Sequence, residues 1–404
     1  MTDRRPLTFL TGALALVVLA GCASGAPASP AETPTESSAG HGEIAGAAEV
    51  AEPPLQLVSI DDKGAVGSLD LLDGSASRLG TVGEPESVAT DGRYVFVAVD
   101  GGVGVIDSGV WTWDHVDHFH YYRAEPAVVG EVRGEGPVSV STGPLSTAGG
   151  TGLYFAGSGE AVLLDNAELS RGRIVETLRV ETGLADGVVA PLGDGALVSD
   201  ADGGLSFHGA DGTAAQGVVA CASPSGAIAT RAGLVVGCAD GAVLATLEGG
   251  DPAFERIPYP EGATAERASA FEARKGRPTV AALAGDQGFW LLDARERAWQ
   301  LVRTAVPLVS VVAADDADGN VVALDEDGRV RVYAAATGEE RAVTEPLVDA
   351  ADGPGVGLSV DAQRAYLNDP ATGVVHEIAY ADEARIARTL ETPTRPDFFA
   401  EVGR

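Results

Sequence analysis

Three of the six histidines in this 404-residue chain, His115, His118 and His120, fall within six consecutive positions. Asp114 and Asp117 stand among them, and Trp111, Trp113, Phe119, Tyr121 and Tyr122 surround them. Neutral imidazole is a preferred ligand for zinc, and carboxylates complete such sites. If Asp117–Tyr122 is extended, side chains alternate faces, so His118, His120 and Tyr122 share one side. Two imidazoles so placed stand roughly 6–7 Å apart along the strand and can converge on one ion. His115 precedes a bend expected at Val116-Asp117, and either joins that pair or serves Asp117. A tetrahedral zinc site takes roughly three or four protein ligands, so the stretch supplies two or three and another part of the chain the rest. The metal-ligand candidates are therefore His118, His120, His115, Asp117 and Asp114. The aromatics are numerous enough to bury such a site and restrict its water. The plainer alternative is a polar loop of hydrogen-bonded histidines, but their concentration here, with so few elsewhere, favours metal.

The remaining histidines are secondary metal candidates. His208 precedes Gly209-Ala210-Asp211-Gly212 and reads as a turn residue. His376 lies in the alternating run Val374 to Tyr380, and His41 in Gly40-His41-Gly42-Glu43. Other catalytic machinery is not legible: there is no serine nucleophile elbow and no cysteine nucleophile. Gly101-Gly102-Val103-Gly104 reads as a turn, because no helix follows it to hold a phosphate. The chain is thus not expected to be an enzyme. A metal-dependent hydrolase or lactonase, or an interaction module whose histidines are structural, are the alternatives.

The elements that must position these residues repeat along the chain. Arg93–Asp107 is an apolar alternating run, an Asp-Gly turn and a second apolar run. The pattern returns at Thr151–Asp165, Gly195–His208, Gly233–Ala245, Thr279–Asp293, Asn320–Tyr333 and Arg364–Ile378, with a partial copy at Leu55–Asp70. Alternation gives strands and Asp-Gly gives tight turns, so these are β-hairpins. Their spacing of about 45 residues is that of propeller blades. The predicted fold is an all-β propeller over residues 55–404, with eight blades or, alternatively, seven. The partial first copy implies that the two ends of the domain share one blade and close the ring.

Upstream, Arg4 and Arg5 precede an apolar run that ends at Leu19-Ala20-Gly21-Cys22. The run is short for a membrane span and reads as a secretion signal. Its end resembles a bacterial lipobox, which implies cleavage before Cys22 and acylation of that cysteine. Residues 1–21 are then a lipoprotein signal peptide and 22–54 a flexible tether rich in Ala, Ser, Pro and Gly. In an exported protein the remaining cysteines, Cys221 and Cys238, read as a disulfide between neighbouring strands. Metal ligation by that pair is the weaker reading, since no histidine is near either in sequence. The formal net charge of −32 excludes nucleic acid as a partner, because no basic patch can neutralise phosphates.

The run from Asp114 to Pro126, Asp-His-Val-Asp-His-Phe-His-Tyr-Tyr-Arg-Ala-Glu-Pro, resembles the signature of the AztD-like periplasmic zinc metallochaperones. The ending Val375–Arg404 is similar to that family's ending, and the hairpin period and cysteine pair also fit. The resemblance implies a propeller that binds zinc outside the cytoplasm and hands it to the solute-binding protein of an ABC-type zinc importer. Carried onto this chain, the ligand candidates are His118 and His120, with His115, Asp114 and Asp117 as neighbours or ligands; the protein is expected to be a monomer, held at the cell membrane by the lipid on Cys22. There are two departures. The mature N-terminus has only His41 where the family has a histidine-rich segment. Ser225 stands where the family places a histidine after the first disulfide cysteine.

Overall fold

The computed structural model describes residues 44–115, 118–201, 203–349 and 353–404. Cys22, His41 and Asp117 lie outside the described residues. The first strands are β1 (Ala48–Val50), β2 (Gln56–Ile60), β3 (Ala65–Asp70), β4 (Ala76–Thr81), β5 (Pro85–Thr90), β6 (Tyr94–Val99), β7 (Gly102–Asp107), β8 (Val110–Asp114), β9 (Phe119–Arg123) and β10 (Ala127–Arg133). Each sequence repeat forms a hairpin, and eight antiparallel sheets are built around these hairpins. The fold is a β-propeller. Blade one is closed by the last strand, Phe398–Val402, which pairs with β2 from Gln56↔Val402 to Ile60↔Phe398. Blade two is β5–β6–β7–β10, and blades three to eight follow in order over 138–181, 189–220, 225–258, 279–303, 308–343 and 358–391. In blade six the innermost position is reduced to Glu272, whose main chain exchanges two hydrogen bonds with Ala281.

Period-two alternation builds the core. Val95, Val97 and Val99 on one face of β6 pack against Val58, Ile60 and Val66 of blade one. Tyr94 and Phe96 on the other face pack against Leu153, Phe155 and Val162 of blade three. Both faces of the middle strands are buried, so these strands read as nearly continuous apolar runs. Each fully buried side chain of this kind contributes roughly 1.5–3 kcal/mol, and Phe96→Ala would cost about 3–5 kcal/mol.

The ninth sheet, β1–β9–β8, stands apart from this repeat. The histidine stretch is neither a loop between blades nor a blade strand. It is a hairpin inserted into blade two, between β7 and β10. Gly109 permits the departure: its φ is +74°, and a Cβ there would lie 2.4 Å from the Ala124 carbonyl oxygen. The segment expected as tether also differs, since Ala48–Val50 is not free chain but a strand on the edge of β9. An open strand edge offers unpaired main-chain groups, and Val50 and its neighbours satisfy them.

The inserted sheet reaches over one end of the propeller axis. The Thr112 hydroxyl donates to the Gly403 carbonyl (2.7 Å), and Asp114 is ion-paired with Arg231. Arg231 directly follows the inner strand of blade five, Ser225–Thr230, three places round the ring from blade two. Within the axis lies a cavity of about 390 Å³, lined by the inner strands of every blade but the fourth.

Candidate metal centre

The hairpin is held at its base by a buried cation. Arg93 is 1% exposed, and its Nε and Nη2 donate to the two carboxylate oxygens of Asp107 at 2.9 and 2.7 Å. The guanidinium lies 4.0 Å from the Trp111 ring centroid and 4.8 Å from that of Tyr94. Trp111 stacks on Tyr122 across the β8–β9 pair, with centroids 5.3 Å apart and planes at 21°. Tyr122 in turn lies 6.3 Å from His120, so an unbroken column of rings runs from the blade to the histidines.

The paired ends of β8 and β9, where Asp114 faces Phe119, bring the three histidines together. The His115 amide donates to the His118 carbonyl (2.9 Å), just beyond the last pair of the β8–β9 ladder. His115 and His118 lie ring to ring at 4.7 Å and 7°, and His120 meets both edge-on at 5.2 and 5.0 Å. The Nε2 atoms of His118 and His120 are 3.2 Å apart, and one nitrogen from each of the three lies within 4.8 Å of the others. Nitrogens sharing a tetrahedral zinc at about 2.0–2.1 Å stand about 3.4 Å apart. The His118–His120 pair already has that spacing, and the third ring lies within about 1.4 Å of it. Among the described residues this is the one grouping of three or more His, Cys, Asp or Glu side chains with ligand-like geometry.

A group that sequence reasoning missed completes the picture. The Nδ1 atom of His120 lies 2.7 Å from Oε1 of Glu49, on β1. Nothing local signals this partner, which is 71 residues away in the chain.

The other sequence candidates fall elsewhere. Asp114 faces Arg231 and is not in the histidine grouping. The His208 ring lies 3.3 Å from the Gly212 carbonyl, as a turn histidine does. His376 sits on the third strand of blade eight, where burial holds its imidazole below the usual range, partly offset by Asp369. Neither histidine lines the axial cavity. The aromatics shelter only one side of the cluster: Trp111 and Tyr122 are buried, but Phe119 is 50% exposed and His118 is exposed. The site is therefore more open than the aromatic content of the stretch implied. Cys221 and Cys238 are bonded; Cys221 lies in the connection between blades four and five, directly after Ala214–Ala220, and Cys238 ends the second strand of blade five, so the bridge does not join two strands of one hairpin as expected. Ser225 opens the inner strand of that blade and donates to the Ser269 carbonyl (3.0 Å). Arg231 lies past the other end, so Ser225 is about 20 Å along the strand from the level of the hairpin.

The cavity beneath the hairpin holds charges that the repeat pattern does not announce. Asp91 accepts from the Arg93 and Tyr94 amides at 2.8 and 2.7 Å. Burial pushes the Glu401 carboxyl up to about 7, opposed by Arg404. Burial lowers Lys275, with Asp91 opposing and Arg404 adding to the shift, and Asp114 of the hairpin also acts on it. Glu272 also lines the cavity, where burial raises its carboxyl above the ordinary range, opposed by Arg404. Of these groups only Glu401 stands within a strand, as a lone charge in Phe398–Val402, and that is the only sequence signal among them. Among the described residues no helix is long and apolar enough to cross a membrane.

No protein-family model matches the chain, and no curated protein matches it. Solved structures do. The crystal structure of AztD from Citrobacter koseri superposes with a TM-score of 0.73 at 20% identity, over 86% of this chain and 97% of that one. The apo form of the same protein gives the same values. Sqt1 of Saccharomyces cerevisiae is more distant, with a TM-score of 0.52 at 13% identity over 86% of this chain and 95% of that one. At these identities the likeness is one of architecture, and the chain has an AztD-like fold.

Proposed function

We propose that this chain is an extracytoplasmic zinc carrier, which binds the ion at His115, His118 and His120 and passes it to the solute-binding protein of an ABC-type zinc importer. The observation that supports this reading most is the convergence of three imidazoles on one short hairpin, two of them already at zinc-ligand spacing. The AztD-like fold agrees with it. Zinc is the cargo here. An exposed His118 suits that role, because an acceptor can approach and exchange ligands one at a time. Acylation of Cys22 would hold the protein at the membrane, with the segment after it giving reach.

The test is calorimetric zinc titration of the full chain and of a His118→Ala/His120→Ala variant. The parent should bind zinc and the variant should not, while both keep the same thermal unfolding. Mixing the zinc-loaded parent with the importer's binding protein should then move the metal. A parent that fails to bind zinc, or a double variant that binds as tightly as the parent, overturns the assignment. Turnover of ester or lactone substrates by the zinc-loaded protein would favour the hydrolase instead.

A further inference from the structure

We infer that Glu49 is a positioning residue for the metal centre: it orients His120 and selects which of its nitrogens faces the ion. This rests on the zinc-binding reading of the cluster. An imidazole ligand offers one nitrogen to a metal and the other to a hydrogen-bond partner, and that partner fixes tautomer and ring plane. An ionised carboxylate can only accept, so the 2.7 Å contact with Glu49 places the His120 proton on Nδ1. The lone pair is then on Nε2, the atom that lies 3.2 Å from Nε2 of His118. Tyr122, at 22° to the His120 ring, limits rotation from the other direction.

Strand register delivers the carboxylate. Glu49 pairs with Tyr122, and Tyr122 pairs on its other side with Trp111. His120 is two residues from Tyr122 on the same face, so it is the diagonal neighbour of Glu49. A slip of one residue would present Ala48 or Val50 there, and neither can accept a hydrogen bond through its side chain. Among the described residues β1 pairs with β9 alone. The affinity of the cluster is therefore coupled to the docking of this short strand, which lies upstream of the propeller.

Zinc affinity of the full chain, measured against a chelating dye, tests this in Glu49→Ala, Glu49→Gln and the parent, with the visible absorption of the cobalt-substituted forms as a second readout. Loss of such an outer partner typically weakens metal binding about 10–100-fold, and Glu49→Ala should fall in that range with an altered cobalt spectrum. Glu49→Gln keeps an acceptor oxygen and should recover part of the loss. Thermal unfolding of the propeller should be the same in all three. The inference is overturned if Glu49→Ala binds zinc as the parent does with an unchanged cobalt spectrum, or if Glu49→Gln is no better than Glu49→Ala. A parent that binds no zinc would instead defeat the underlying assignment.

Discussion

Replacing Arg93 by Met should loosen both blade two and the hairpin that departs from it. The guanidinium is 1% exposed and makes two hydrogen bonds to Asp107. Asp107 also accepts from the Gly109 amide (2.9 Å) at the point where the hairpin leaves the blade. Methionine fills much of the volume against Trp111 but leaves the Asp107 carboxylate buried without its cation. Breaking a buried pair from one side costs about 3–5 kcal/mol, most of it from the stranded charge. The lost contact with the Trp111 face, worth about 2 kcal/mol when desolvated, is already part of that figure and does not add to it. Urea unfolding followed by tryptophan fluorescence measures the change. Arg93→Met/Asp107→Leu should recover a large share of the loss, because no charge is then stranded. Zinc affinity should fall in the single variant, since the Trp111–Tyr122–His120 column rests on Arg93. A single variant within about 1 kcal/mol of the parent, or a double variant less stable than the single one, would refute this account of the hairpin's base.

Three further outcomes are expected. Cys221→Ser/Cys238→Ser removes a bridge across a separation of 17 residues, which in the chain-entropy account costs about 3 kcal/mol; unfolding midpoints of oxidised parent and variant that coincide would contradict it. The Glu401 carboxyl is raised from 4.5 to about 7 by burial, so the folded protein holds a proton there that the unfolded chain releases. Stability then falls as pH rises from about 4.5 to about 7, by on the order of 3 kcal/mol at full ionisation, and Glu401→Gln should flatten the dependence seen in urea midpoints at pH 5 and pH 8. Parallel losses in parent and variant would show that another group is responsible. Arg231→Ala should change global stability by less than about 1 kcal/mol, because its guanidinium is 40% exposed in the pair with Asp114; a larger loss in the same urea assay would mean that the hairpin is anchored mainly at its tip.

The sequence alone determined what is local. Alternation in Arg93–Asp107 and its copies specifies hairpins, because a strand's two faces are written in successive residues. The Asp-Gly pairs place the turns, and repetition of one unit that cannot bury both its faces requires a ring. That Leu55–Asp70 lacks an inner partner was legible too, and Phe398–Val402 supplies it. So was the clustering of His115, His118 and His120, which lie close in the chain. Tertiary structure decided what each face meets. Alternation puts His118 and His120 on one side but does not reveal Glu49, which arrives through pairing of a strand from a segment whose composition reads as tether. It does not reveal that Asp114 meets Arg231 from the other side of the axis, 117 residues away. Nor does it show Asp91, Lys275 and Glu401 gathered around one cavity, since Glu401 is a single charge in an apolar strand while Asp91 and Lys275 lie outside the strands, and only the ring brings them together. Period and turn chemistry are properties of a few adjacent residues, whereas these encounters follow from closing eight blades into a ring and exist only once it has closed.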